Sequence, residues 1–174
     1  MAAASLGLAL TLALGGPAGA ATDDANVAAC RLVFIGHGTA GWRSESAVAG
    51  PVGVRRHPLS TMSRTRNGQL LAKMPLLVEG HAPVTVSVPP RLRNRVFLYY
   101  GRILDREGHP TTSFNGARGY AETVFKPCED RPRTIWPGGI RVKGRGPVHL
   151  LVAVAGRTGS IPLHLGRPRV HRPS

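Results

Sequence analysis

The chain has 174 residues, 42% of them hydrophobic, and its 23 Lys and Arg against 9 Asp and Glu give a formal net charge of +14. That apolar content supports a core and argues against wholesale disorder. The 22 glycines and 15 prolines interrupt helices too often for a helical bundle or coiled coil, and the length leaves no room for a multi-domain enzyme. Residues 1–20, MAAASLGLALTLALGGPAGA, carry no charge and hold an apolar run from Leu6 to Leu14. The breakers Gly15, Gly16 and Pro17 follow, and Ala18-Gly19-Ala20 then offers a small-residue cleavage site, so the segment reads as a secretory signal peptide cut after Ala20. The apolar run is too short for a bilayer, which needs about 20 residues. Val27-Ala28-Ala29-Cys30 has the form of a lipidation site. However, Asp23, Asp24 and Asn26 separate it from the apolar run, so lipidated Cys30 is the lesser alternative.

Residues 21–30 read as a linker, 31–166 as one β domain and 167–174 as a basic, frayed tail. Arg31–Ile35 is a short apolar strand. Ala47–Arg55 reads as one edge strand, because Pro51 removes a ladder donor. Ser63–Leu71 reads as a short helix or a polar loop. Leu76–Glu79 precedes a turn at Gly80-His81, and Pro83–Val88 alternates with Val84, Val86 and Val88 inward. Arg95–Tyr100 is a strong strand, Leu104–Gly119 a long exposed loop, and Tyr120–Lys126 a strand with Ala121, Thr123 and Phe125 on one face. Ile140–Gly144 and Val148–Val154 flank the turn at Gly144–Pro147. Ser160–Leu165 closes the domain after a turn at Gly156–Gly159. About seven or eight short strands at this spacing predict an all-β antiparallel sandwich or a partly open barrel.

Two stretches carry a resemblance. One is Gly41-Trp42-Arg43 with Val48-Ala49-Gly50-Pro51. The other runs from Phe125-Lys126-Pro127-Cys128 through Thr134-Ile135-Trp136-Pro137-Gly138-Gly139-Ile140 to Gly144 and Val148-His149-Leu150. Together they resemble small secreted proteins of unknown function from high-GC actinobacteria. The resemblance implies export and an all-β fold, and it implies no activity. The sequence departs from that pattern at Pro147, where the family has a second Cys before the V-x-L.

Cys30 and Cys128 are the two cysteines, and Cys30 is the one mate Cys128 has in this chain. Outside the cytoplasm such a pair is normally oxidised, which predicts a Cys30–Cys128 disulfide, with two unpaired cysteines on strands that never meet as the alternative. Closing a loop of that size restricts the unfolded chain by about 4–5 kcal/mol on the entropy model. The seven histidines form no H-x-x-x-H pair and have no carboxylate at ligand spacing, so no metal and no cofactor is expected. His149 and His164 read as strand histidines. No G-x-S-x-G elbow, phosphate-binding glycine loop or nucleophile–base pattern occurs, and Glu129-Asp130 followed by Arg131 and Arg133 reads as a surface charge network.

Charge is the sharpest remaining signal. Residues 131–174 contain nine basic side chains and no acid. Arg141, Lys143 and Arg145 alternate with Ile140, Val142 and Gly144, and Arg91, Arg93 and Arg95 alternate with Leu92 and Asn94 at the head of the strand that follows. On strands, each set lines up cations about 7 Å apart, within the Debye length of ~8 Å, and such a row attracts polyanions. The plain alternative is a solvated face whose 20 arginines reflect codon usage. The sequence therefore predicts an exported, non-catalytic envelope protein whose partner is an anionic polymer or a protein. Nucleic acid is not expected, and the mature chain is expected to have no membrane span. A hydrolase of wall material with a site built from loops, and a purely structural module, are the alternatives.

Overall fold

A computed structural model of the chain describes residues 26–30, 42–55, 63–64, 69–111, 113–114, 116–144, 146–163 and 165. In chain order the elements are β1 (Asn26–Ala28), a one-turn helix α1 (Trp42–Glu45), β2 (Ser46–Ala49), β3 (Val52–Arg55), β4 (Ser63–Arg64), β5 (Leu70–Lys73) and β6 (Leu76–Glu79). They continue with β7 (Val84–Ser87), a 3-10 turn at Pro90–Leu92, β8 (Val96–Tyr100), β9 (Glu122–Phe125), β10 (Arg133–Trp136), β11 (Gly138–Val142), β12 (Val148–Val154) and β13 (Arg157–Leu163). The fold is all-β and sandwich-like, and it does not close into a barrel. Three sheets share one core: β1-β9-β7-β12-β13, β10-β6-β3-β2 and β4-β5-β11-β8. Every pairing is antiparallel except β1 with β9, which is parallel.

Several sequence expectations are met in detail. Val84, Val86 and Val88 are all fully buried, as the alternation requires, and Thr123 and Phe125 of β9 share the inward face. Others need correction. The expected seven or eight strands are thirteen among the described residues, because several are only two to four residues long. Ala47–Arg55 is not one edge strand but the hairpin β2–β3. Its two-residue loop is Gly50-Pro51, with Gly50 at φ +57°, so Pro51 sits in the turn and β3 lies inside its sheet. A glycine with positive φ at the first loop position is what a II′ hairpin turn asks for. Of the stretch Ser63–Leu71 read as a short helix or polar loop, β4 takes the start and β5 the end, and residues 65–68 lie outside the described residues. The last turn falls at Ala155-Gly156, both at positive φ, so Arg157–Gly159 belong to β13. The stretch read as linker contributes β1. The loop after Leu104 folds back on itself through Thr111 N–H to Ile103 O at 2.9 Å and Arg118 N–H to Leu104 O at 2.8 Å. Arg31–Ile35 and the tail at 167–174 lie outside the described residues.

One device turns the chain from sheet to sheet. β6 pairs with β10 in one sheet and β5 with β11 in another, so the same two chain segments run side by side through both. They bend together at Met74-Pro75 and at Pro137-Gly138, held by Met74 N–H to Gly138 O at 3.1 Å. Prolines suit the bend because a residue that donates no N–H interrupts a ladder there at little cost. Tyr100 fills the inside of the corner, fully buried, with its hydroxyl donating to Met74 O at 2.6 Å. Its ring meets Phe125 edge-on, and Phe125 in turn meets Trp136, at centroid distances of 5.5 and 5.1 Å. Burial pushes the Tyr100 phenol well above its usual range, so it stays a donor at any physiological pH.

Gly138 is where this corner is least forgiving. A Cβ there would lie 2.2 Å from Tyr100 Cδ1 and 2.5 Å from the Tyr99 carbonyl oxygen, and the backbone atom cannot move without breaking the β8–β11 ladder. Gly138→Ala is therefore expected to lower unfolding stability by about 1–3 kcal/mol, the cost of overpacking a dense core. Urea unfolding followed by tryptophan fluorescence checks this, and an unchanged midpoint would contradict it.

Candidate functional site

The antiparallel register of β8 on β11 sets Leu98 opposite Ile140 inside the core, which puts Phe97 opposite Arg141 on the other face. One step beyond the ladder, Lys143 N–H donates to Arg95 O at 2.7 Å and Arg95 Nε donates to Lys143 O at 3.3 Å. One member of each basic run, Arg95 and Lys143, thus sit side by side on one face. Across β11, Arg141 pairs with Leu71 and Gly139 with Lys73 of β5, so exposed Lys73 joins the same face. Four cations, Arg95, Lys143, Arg141 and Lys73, run obliquely over three strands.

Within this row the cations differ. Lys143 is exposed, with Nζ 5.2 Å from the centre of the Phe97 ring. Arg141 is half-buried, its guanidinium 5.2 Å from the Phe97 ring centre and 5.0 Å from that of Tyr99. Its Nη2 donates to Ala117 O at 3.5 Å, while its Nε is sealed from solvent with no hydrogen-bond partner among the described residues. Two aromatic faces stand in for water around this guanidinium, a contact worth about 0.5–2 kcal/mol as burial increases. The residues after Phe114 cover this part of the sheet. Phe114 meets Tyr99 edge-on at 5.5 Å, the Tyr99 hydroxyl donates to Ala117 O at 3.3 Å, and Gly119 sits where a Cβ would strike Phe97 and Tyr99. Burial raises the Tyr99 phenol, and the nearby Arg141 charge works against that rise. No ion pair engages Arg141 or Lys143 among the described residues.

The remaining basic residues fall elsewhere. Arg91 and Arg93 do not extend the row, because Pro89-Pro90 starts a 3-10 turn and Arg93 ends it, so neither is on a strand. Both are exposed, and Arg93 Nε donates to Val88 O at 3.4 Å. Arg145 lies outside the described residues. Lys73 was missed in the sequence because the LLAK of β5 has no clean alternation to mark it as a strand.

Cys30 and Cys128 form the expected disulfide, with Cα atoms 4.9 Å apart. Their sulfurs and an Asp130 oxygen lie within 4.8 Å of one another, but both sulfurs are committed to the bridge, so the group has no thiolate to offer a metal. His81 Nδ1 is 3.1 Å from Cys128 O, His149 is half-buried in β12, and His164 lies outside the described residues. The acid pair Glu129-Asp130 is exposed at a turn. Asp130 meets Arg131 at 3.4 Å, whereas Arg133 crosses instead to Glu79 on β6 at 3.4 Å. Among the described residues, no helix is long and apolar enough to cross a membrane.

No family model matches the chain, and no curated protein or solved structure matches it either. Most residues in the two stretches singled out from the sequence serve the framework: Trp42 is a buried anchor, Gly50-Pro51 the β2–β3 turn, Trp136 core, and Pro137-Gly138 the ribbon corner.

Glu79 holds a separate charge cluster. It accepts from Arg43 of α1 and from Arg133 of β10, and Arg43 also lies over the Trp42 ring at 4.9 Å. The Arg43 hydrogen bond holds the Glu79 carboxyl below its ordinary value, aided by the Arg43 charge and by Arg133, against a smaller opposing effect of desolvation. A carboxyl lowered by folding stabilises the protein above its unfolded value, near 4.5, and that contribution disappears as pH falls through the folded value. Glu79→Gln should therefore be less stable than wild type at neutral pH, with the gap closing as the solution is acidified through the carboxylate range. Thermal melts across pH check this, and a gap that widens in acid would contradict it.

Proposed function

We propose that this is an exported, envelope-associated protein that binds an anionic polymer through the row Arg95, Lys143, Arg141 and Lys73, and that it is not an enzyme. The observation that carries this reading is the meeting of Arg95 and Lys143 across one backbone pair, with Arg141 one pleat further along and no carboxylate among the described residues paired to Arg141 or Lys143. Neighbouring charges on adjacent strands are separated by about 5 Å, and those two residues apart on one strand by about 7 Å. Both spacings fall inside the ~8 Å Debye length, so a polyanion meets the group as one field. Phe97 adds a rigid apolar floor beneath Lys143 and Arg141. Export is supported by the leader-like residues 1–20, by the resemblance described above, and by the disulfide, a bond at home in oxidising compartments. A polymer met there, rich in phosphate or carboxylate groups, is the ligand class this face suits. A purely structural β module would share the fold and the bridge but would show no such binding.

Inorganic polyphosphate is a suitable probe. Replacing Arg95, Lys143 and Lys73 together with Gln is expected to reduce the slope of log affinity against log salt by roughly two to three, since each neutralised phosphate contributes about 0.7–0.9. The matched control removes the same charge at Arg167, Arg169 and Arg172. Equal losses in the two triple variants would mean that net charge alone attracts the polymer, and the reading would be wrong.

A further inference from the structure

We propose that the edge of β9 is a strand-acceptor groove, that residues 26–28 are an insert clasped into it by the Cys30–Cys128 disulfide, and that once the clasp is reduced the groove takes the same segment from a second copy of this chain. β1 is three residues long and stands at the outside of its sheet, where its parallel ladder to β9 is the single strand pairing it makes among the described residues. Parallel pairing is slightly weaker per residue than antiparallel, and so short a strand seals few bonds. Yet the groove fits it closely. The Asn26 side chain, buried, donates to Tyr100 O and reaches Thr123 Oγ1 at 3.4 Å. Ala28 is fully buried in register with Phe125, and Gly101, at φ +73°, leaves no room for a Cβ beneath it. Lys126 N–H donates to Ala28 O at 3.0 Å and Trp136 Nε1–H to Ala29 O at 3.2 Å. The specificity is thus for a short extended segment with Asn and Ala two residues apart, both facing inward, and this chain carries that segment itself.

Connectivity makes the exchange feasible. β1 is joined to the rest of the fold by the eleven residues between Cys30 and Trp42 and by the disulfide. A segment of eleven residues can span at most ~36–40 Å when extended, enough to reach a neighbouring molecule. Opening the clasp needs a dithiol reductant. Its thiolate attacks the Sγ of Cys30, the less buried of the two cysteines, and Cys128 leaves as a thiolate. The second thiol of the reductant then resolves the mixed disulfide, so the reductant is oxidised by two electrons and the protein gains two thiols. The freed edge offers unpaired backbone donors and acceptors, the situation in which sheets accept a strand in trans.

Two single-cysteine variants of the full chain test this. Cys128→Ala can donate a strand bearing Cys30, and Cys30→Ala keeps Cys128 in the groove. Mixed and oxidised with glutathione disulfide, they are expected to give a Cys30–Cys128 linked heterodimer, identified by peptide mapping. Adding Asn26→Lys to the strand-donating chain should reduce its yield at least tenfold, because a buried charge cannot replace the amide. Absence of the heterodimer from folded variants, or a yield unchanged by Asn26→Lys, would overturn the proposal. If a variant does not fold, wild-type protein reduced with dithiothreitol and reoxidised at rising concentration replaces it. A linked dimer that grows with concentration supports the exchange, and monomer throughout refutes it.

Discussion

The antiparallel pairing of β8 with β11 is the contact on which the rest of this protein depends. Its inward residues, Leu98, Tyr100, Ile140 and Val142, are core, and its outward residues, Phe97 and Arg141, found the cationic face. Shifting the register by one residue would drive Arg141 and Phe97 into the core and push Leu98 out, because side chains alternate with a period of two. The β8–β11 register therefore fixes more than a strand pair: it decides which cations can act together. Gly138, pressed between Tyr100 and the Tyr99 carbonyl, pins the same pairing from its other end.

Around that pairing the molecule separates its charges by role. Arg43, Arg133 and Glu79 tie α1 to the β6–β10 pair, and Arg55 with Glu45 ties α1 to β3. These are exposed pairs, individually weak, and they hold local geometry rather than supply the bulk of stability. Arg141 is different, since it is stacked between Phe97 and Tyr99 and holds the segment after Phe114 to the sheet through Ala117. Lys143 is left with its ammonium over Phe97 and open to solvent. Aromatic residues make up only 5% of the chain, and two of these few are used here.

Much of this was legible in the sequence. Alternation marked β7 and one face of β9, the apolar runs marked β8 and β12, and the all-β class followed from them together with the turns. The disulfide was legible because only one partner existed for Cys128. What was hidden was long-range. β5 and β10 carry no strong period, and β1 is a strand only because β9, Tyr100 and the disulfide make a place for it. The candidate face was half visible. Arg141 and Lys143 announced themselves by alternation, but nothing local could show that Arg95 would be their neighbour rather than Arg91 and Arg93. Pro89-Pro90 ends the extended run at those two residues, and only the β8–β11 register brings Arg95 across.

The account stands on the claim that this register gathers separated cations into one binding face. Titrating isotopically labelled protein with polyphosphate and following each backbone amide by NMR tests that claim most directly. Shifts concentrated at Arg95, Phe97, Arg141, Lys143 and Lys73, saturating together, are the predicted result. Shifts spread evenly over the basic residues of the chain, or centred on residues 167–174, would contradict it.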